Sequence, residues 1–153
     1  MRSHYVRALL GVLLLAVFGM QLLAPSSVAS SIEALVNFEP ETLNLRENRD
    51  GLFMAFIELA DPAYDVSDVD LESIALHVEG ATGSIEPVRY VVASGKLVVT
   101  FYASEVAELI RATLGHMQPT PPPKAEYPRD LTVRGSINGV DFEGSARIRV
   151  VLP

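Results

Sequence analysis

The amino-acid sequence predicts a mostly β protein, an immunoglobulin-like antiparallel β-sandwich of about seven strands with one short α-helix. Three observations favour this class. Apolar and polar residues alternate over much of the chain after residue 30, which is the period of a strand. Two-residue turn signals connect two pairs of these runs. A single stretch places its apolar residues at helical spacing.

The start of the chain predicts a secretory signal. Arg2 and Arg7 give it a basic beginning, and the run Ala8–Ala24 is almost wholly apolar. Ser27 and Ala29 are the small residues that precede a cleavage site. The alternative is an uncleaved membrane anchor, for which this run is somewhat short, because a helix needs about 20 residues to cross the hydrocarbon core.

The sequence therefore divides into a signal peptide, 1–29, and a single β-sandwich domain, 30–153. We expect a secreted or extracytoplasmic location, with membrane contact only through the N-terminal segment if it is not cleaved. The formal net charge of the chain is −7, and loss of the two signal arginines makes the domain more acidic, at −9. Such a surface repels phosphate backbones, so no nucleic-acid partner is expected. The chain has no cysteine, so it must be stabilised by packing without disulfides.

A hairpin is predicted near the end of the chain, where Asn138-Gly139 suits a type I′ turn. This turn places Ile137 opposite Val140 and fixes the register of the following pairs. Leu131, Val133 and Gly135 then share one face with Phe142, Gly144 and Ala146, while the other face pairs Arg134 with Glu143, Thr132 with Ser145 and Asp130 with Arg147. Apolar faces match, and opposite charges are neighbours.

A second hairpin is predicted around Ser94-Gly95, which joins Val88–Val92 to Leu97–Phe101. Val88, Tyr90 and Val92 then face Phe101, Val99 and Leu97. Because the opposite face carries Val91 and Val98, we expect that face to be covered as well.

Three further strands are predicted, at Thr42–Leu45, Leu52–Leu59 and Ile74–Glu79, and the second is apolar enough to be central. The helix is predicted from Glu105 to Leu114, with Ser104 as its N-cap and Gly115 at its end. An extended proline-rich loop, Met117–Lys124, follows it.

Six segments, which together span most of the domain, carry a family resemblance. They are Phe38–Leu45, Ala55–Leu59, Tyr64–Asp70, Ser73–Leu76, Phe101–Val106 and Gly139–Val150. Through them the chain resembles a poorly characterised family of immunoglobulin-like sandwich modules in secreted and surface proteins of archaea and bacteria. The resemblance implies a fold and an extracellular setting, and it implies no reaction. Members often carry a calcium-loop-like acidic segment where this chain has the acid-free Val91–Leu97, so the resemblance implies that this site is absent.

Another acidic segment offers candidate calcium ligands. Asp65, Asp68, Asp70 and Glu72 are closely spaced, and calcium takes six to eight oxygen ligands. The ligand order of an EF-hand is missing, and Asp65 and Asp68 are equally suited to cap a helical turn and a strand entry. No other cofactor is predicted.

No catalytic residue is predicted, because no nucleophile and base form a recognisable pair. His77 and His116, the two histidines of the domain, are far apart in the sequence. Tyr64, Tyr102 and Tyr127 are the aromatic residues that a carbohydrate site would use.

The resulting prediction is a non-enzymatic extracellular module with a structural or protein-interaction role. The alternative is a carbohydrate- or calcium-binding module of a secreted or surface system. The expected partner is an extracellular protein or a surface polymer.

Overall fold

The computed structural model describes residues 31–46, 51–115 and 126–152. The predicted signal segment, the proline-rich loop and His116 lie outside these ranges. The strands are β1 (Ile32–Glu39), β2 (Thr42–Asn44), β3 (Leu52–Leu59), β4 (Val69–Val78), β5 (Arg89–Ala93), β6 (Lys96–Tyr102), β7 (Glu126–Ile137) and β8 (Val140–Val151). The helix is α1 (Ala103–Leu114), and a single 3-10 turn, Val66–Asp68, leads into β4. No helix in these ranges has the length and apolar character needed to span a membrane.

The strands form one continuous path in the order β4, β7, β8, β1, β3, β6, β5, and β2 pairs with β8 beside this path. The path folds over a common core, which confirms the predicted mostly β, sandwich-like class. β3 lies between β1 and β6, so the prediction that it is central is also confirmed. The described residues form eight strands, where the sequence predicted about seven. The pairing is not wholly antiparallel, because both β1 and β2 run parallel to β8.

β1 is the strand that the sequence analysis did not predict. Its residues alternate strictly between buried and exposed, so the period-two signal was present in the sequence. β1 starts beside β8 and then crosses to pair with β3. At the crossing, a side chain on Gly144 would collide with the carbonyl of Ala34 and with Val36. Only glycine allows β1 to lie this close to β8.

Among the described residues, the core contains apolar side chains from every strand except β5, from the helix and from the segment around Ile85. Its largest fully buried side chains include Phe53, Phe101 and Phe142. The rings of Phe38 and Phe53 stack with their centroids 5.3 Å apart, which joins β1 to β3 inside the core.

The predicted β7–β8 hairpin is confirmed in full register, from Asp130 opposite Arg147 to Ile137 opposite Val140. Asn138 and Gly139 have φ angles of 51° and 78°, as a type I′ turn requires. The Arg147 guanidinium donates hydrogen bonds of 2.7 and 2.8 Å to the Asp130 carboxylate. These bonds hold the pKa of Asp130 below its ordinary value.

The helix begins two residues earlier than predicted, so the prediction of Ser104 as its N-cap is wrong. β6 runs directly into α1, and the backbone N–H of Ala103 donates to the carbonyl of Gly51 at 3.0 Å. Ser104 therefore lies inside the first turn, and Tyr102 is the N-cap residue without a side-chain capping bond. Gly115 ends the helix as predicted, with a right-handed φ of −62°. On the inner face, Val106 and Ile110 are buried.

Candidate functional site

β5 ends the strand path and pairs only with β6 among the described residues. Its predicted register is confirmed for Tyr90 opposite Val99 and Val92 opposite Leu97. The predicted pairing of Val88 with Phe101 is wrong, because the ladder ends at Arg89 opposite Thr100. The loop residues Ser94 and Gly95 have φ angles of 52° and 72°, which is the geometry of a two-residue type I′ turn. One edge of β5 thus remains without a strand partner in the part of the chain that the structure describes.

The exposure of β5 is the unusual feature of this edge. Val88, Tyr90, Val91 and Val92 have exposed fractions of 45%, 50%, 46% and 47%. They are four of the seven large hydrophobic residues that the described ranges expose to this degree. The expectation that the face carrying Val91 is covered is therefore wrong. Val98, one strand further in, is half-buried.

The exposure of Tyr90 and Val92 follows from the position of β5 relative to the core. Their cross-strand partners on β6, Val99 and Leu97, are completely buried. Directly opposite residues in an antiparallel pair share one face of the sheet. Tyr90 and Val92 therefore lie on the core side of the sheet but beyond the end of the core. β5 therefore extends past the buried core of the sandwich.

The turn also determines which backbone groups face the free edge. In a two-residue hairpin the residues that close the turn, here Ala93 and Lys96, form a hydrogen-bonded pair. The hydrogen-bonded pairs then alternate along the strand, which turns the backbone groups of Arg89 and Val91 toward β6. The N–H and C=O groups of Tyr90 and Val92 consequently point outward. The edge offers two donors and two acceptors between apolar side chains.

The charge around this edge differs from that of the chain as a whole. The sequence from Pro87 to Ala103 contains no acid, although the chain has 19. Arg89 is the single charged residue of β5. On β6, Lys96 forms a 3.1 Å ion pair with Glu58 of β3, so its charge is partly offset. β5 itself is thus apolar with one positive charge, whereas three acids, Glu86, Glu105 and Glu108, line the recess next to it.

The predicted calcium ligands lie around the 3-10 turn and the start of β4. Asp65 caps this turn, because the N–H and hydroxyl of Ser67 donate to its Oδ1 at 2.9 and 2.7 Å. These bonds, led by the one from the backbone, hold the pKa of Asp65 below its ordinary value. Asp70 accepts a 3.2 Å bond from the N–H of Glu72. Asp68 is the last residue of the turn.

These local hydrogen bonds match the capping alternative for Asp65. Within the described ranges, no three His, Cys, Asp or Glu residues form a group that could hold a metal ion. Calcium binding by the four acids stays a prediction, as does the absence of catalysis. His77 is half-buried on β4.

The tyrosines named as candidate sugar platforms differ in exposure. Tyr64 and Tyr127 are half-buried and pack against the core, whereas Tyr102 is 49% exposed at the end of β6. Tyr90 on the free edge is equally exposed, and the sequence analysis assigned it only to packing. The carbohydrate alternative stays a prediction.

A polar recess lies between β4 and the β7–β8 turn, and polar groups that line it bond to one another. Its lining includes Ser73, Arg134 and Glu143. Arg134 donates to Glu143 at 2.6 Å, and the Ser73 hydroxyl accepts a 2.8 Å bond from the N–H of Ser136. These polar groups are thus engaged in holding the sheet together.

No family model matches the chain, and no curated protein matches it significantly. The resemblance to the family of secreted and surface modules therefore stays a prediction.

Two solved structures are similar to it. AggA, the major subunit of aggregative adherence fimbriae type I from Escherichia coli, is 10% identical with a TM-score of 0.27, and the match covers 82% of this chain and 96% of AggA. The N-terminal domain of the Streptococcus gordonii adhesin Sgo0707 is 8% identical with a TM-score of 0.28, and the match covers 78% of this chain and 32% of that one. The chain thus spans about a third of that adhesin chain. At these scores neither similarity carries an argument about function.

Proposed function

We propose that the protein is an exported, non-enzymatic β-sandwich module that acts through a structural or protein-interaction role outside the cytoplasm. The observation that carries this proposal is the free edge of β5, where exposed apolar side chains accompany outward-facing backbone groups. Edges of this kind template the pairing of another polypeptide. Proteins normally blunt such edges, so a retained one favours a binding role.

The extracytoplasmic location is supported by the chain itself. A basic beginning, an apolar run and small residues before Ser30 are the parts of a cleavable secretory signal. The absence of cysteine is compatible with this location, because the domain is built on a packed core.

The location is tested by expressing the full chain, with a C-terminal tag, in a bacterial host. We expect the tagged product outside the cytoplasm, with an intact mass and an N-terminal sequence that begin at Ser30. A product that stays in the cytoplasm with residues 1–29 attached would contradict the export proposal.

The interaction role is tested by selecting a displayed library of extended peptides against the exported product. We expect enrichment of sequences with alternating apolar residues, which would add a strand to β5. Val92→Lys places a charge on the free edge and should weaken binding of the selected peptides at least about tenfold. Leu35→Lys is the matched control, because Leu35 is 55% exposed but lies on β1, three strands from β5.

Three outcomes of this experiment distinguish whether β5 binds the selected peptides. Loss of binding in Val92→Lys with retention in Leu35→Lys supports a role for β5. Equal binding by the wild type and both variants would move the interaction away from this edge. A selection that enriches no peptide would overturn the interaction role.

A further inference from the structure

We propose that the free edge of β5 pairs with β5 of a second copy of this chain, antiparallel and about a two-fold axis through Val91. This inference rests on the proposed interaction role and names its partner. The two sheets would then join into one continuous sheet across the axis.

The backbone of β5 suits this register. Tyr90 and Val92 carry the outward N–H and C=O groups, and they lie symmetrically on either side of Val91. A two-fold axis at Val91 places each Tyr90 opposite the partner's Val92. Each such pair exchanges two hydrogen bonds in an antiparallel ladder. All four outward groups of each strand are therefore used, in four bonds between the copies.

The side chains are self-complementary in the same register. Tyr90 lies beside the partner's Val92 on the core side, an aromatic and β-branched pair that antiparallel sheets favour. The pair occurs twice, once on each side of the axis. On the outer face, Val91 meets the partner's Val91. Arg89 lies opposite the partner's uncharged Ala93.

The charges favour a second copy over a strongly charged partner strand. Arg89 is the single charge of β5, and neither β5 nor its turn contains an acid. The two Arg89 positions are four residues apart along the ladder, or about 13 Å. That separation exceeds the screening length of about 8 Å at physiological salt. No like charges of the two β5 strands therefore meet within the ladder.

The area of contact predicts a weak dimer. Each copy contributes four large side chains that are about half exposed, together with one strand edge. The total is on the order of 600 Å², which is below the size of standard specific interfaces and typical of weak contacts. We therefore expect a reversible association with a dissociation constant between about 10 μM and 1 mM, detectable only at high protein concentration.

The test uses Val91, because it meets its own copy at the axis. In the exported product of the full chain, Val91→Asp places two carboxylates directly opposite each other, and Val91→Lys places two ammonium groups there. Each variant alone should dimerise at least about tenfold more weakly than the wild type. An equimolar mixture of the two should form a heterodimer, because opposite charges now face each other.

Sedimentation equilibrium up to about 1 mM protein measures the association, with Leu35→Asp and Leu35→Lys as controls that should dimerise like the wild type. The inference is overturned if the wild type remains monomeric over this range. It is equally overturned if both Val91 variants dimerise as strongly as the wild type, or if their equimolar mixture forms no heterodimer. A monomeric protein that still binds selected peptides through β5 would retain the proposed function and lose only this inference.

A second measurement needs no variant. The amide protons of Tyr90 and Val92 should exchange rapidly in dilute wild-type protein and become protected as concentration rises. Those of Arg89 and Val91, which point toward β6, should not depend on concentration. Added salt should strengthen association, since two acidic copies repel each other and salt screens that repulsion. Absence of concentration-dependent protection, or weakening by salt, would contradict the pairing.

Discussion

β4 and β5 lie at the two ends of the same strand path, and both are rich in apolar residues. On β4, Ile74, Leu76 and Val78 are buried. Ile85 crosses the outer edge of β4 and exchanges two 2.9 Å backbone hydrogen bonds with Leu76. The edge of β5 has no comparable cover within the described ranges, and its apolar side chains remain about half exposed.

A second difference is the regularity of the two edges. The register of β4 shifts between Asp70 and Ala75, and this bulge breaks its pairing with β7. β5 is short but regular along its whole ladder with β6. Bulges and covering segments are two devices that prevent edge-to-edge association. Apolar composition alone therefore does not determine whether an edge strand joins the core or remains exposed.

The largest expected change in stability is the difference between truncating a residue on the β4 edge and one on the β5 edge. Leu76→Ala should lower the free energy of unfolding by about 2–5 kcal/mol, because it opens a cavity in the core. Val92→Ala should change it by at most about 0.5 kcal/mol, because the side chain is already half in water. Urea unfolding followed by circular dichroism measures both. Similar losses would show that β5 belongs to the core as much as β4 does.

An intermediate effect is expected at the bulge. Ser73 accepts a hydrogen bond from the N–H of Ser136 and donates a 2.6 Å bond to the carbonyl of Asp70. Ser73→Ala removes both and should cost about 1–2 kcal/mol of unfolding free energy. Ser145→Ala is the control, because its hydroxyl bonds to Thr132 on an exposed face and its loss should cost less. Equal costs would mean that Ser73 does not maintain the bulge.

The smallest effect concerns the acid range. The folded pKa of Asp65 is lowered by its bonds from Ser67, so the carboxylate contributes stability above its unfolded pKa, about 3.9. That contribution is lost as the pH falls through the lowered folded value. Asp65→Asn should therefore reduce the fall in melting temperature between pH 5 and pH 2, measured by thermal unfolding. If the melting temperature of the variant fell as much as that of the wild type over this pH range, the Asp65 cap would not stabilise the 3-10 turn that leads into β4.

Much of the β-sheet register is predictable because it depends on local turn chemistry. Asn138-Gly139 and Ser94-Gly95 each fix a two-residue turn, and every later pair follows from counting. The parallel pairing of β1 with β8 is not predictable in this way, because it joins strands more than a hundred residues apart. The alternation in β1 was readable, but no turn signal identified its partner.

The candidate site was only partly predictable. The sequence placed Tyr90 and Val92 on the face of buried partners, which is correct, and that reasoning implied that they were buried. Their exposure depends on how far the strands that pack across the core extend toward β5. No local sequence pattern predicts that extent. The prediction for Val91 failed for the same reason. The capping role of Asp65 was predictable because it involves a residue only two positions away.

The parallel neighbours β1 and β8 also determine how the domain bears mechanical load. Suppose that one end of the domain is anchored before Ile32 and tension acts beyond Leu152. β1 and β8 run in the same direction, so this tension slides them past each other lengthwise. The pairing at Ile32 with Phe142 and the β2 pairing at Leu43 with Val150 then carry force together rather than one bond at a time. Unfolding under tension is governed by the unfolding rate. Because several strand pairings must break together, we expect the domain to unfold only at high force when its ends are pulled apart.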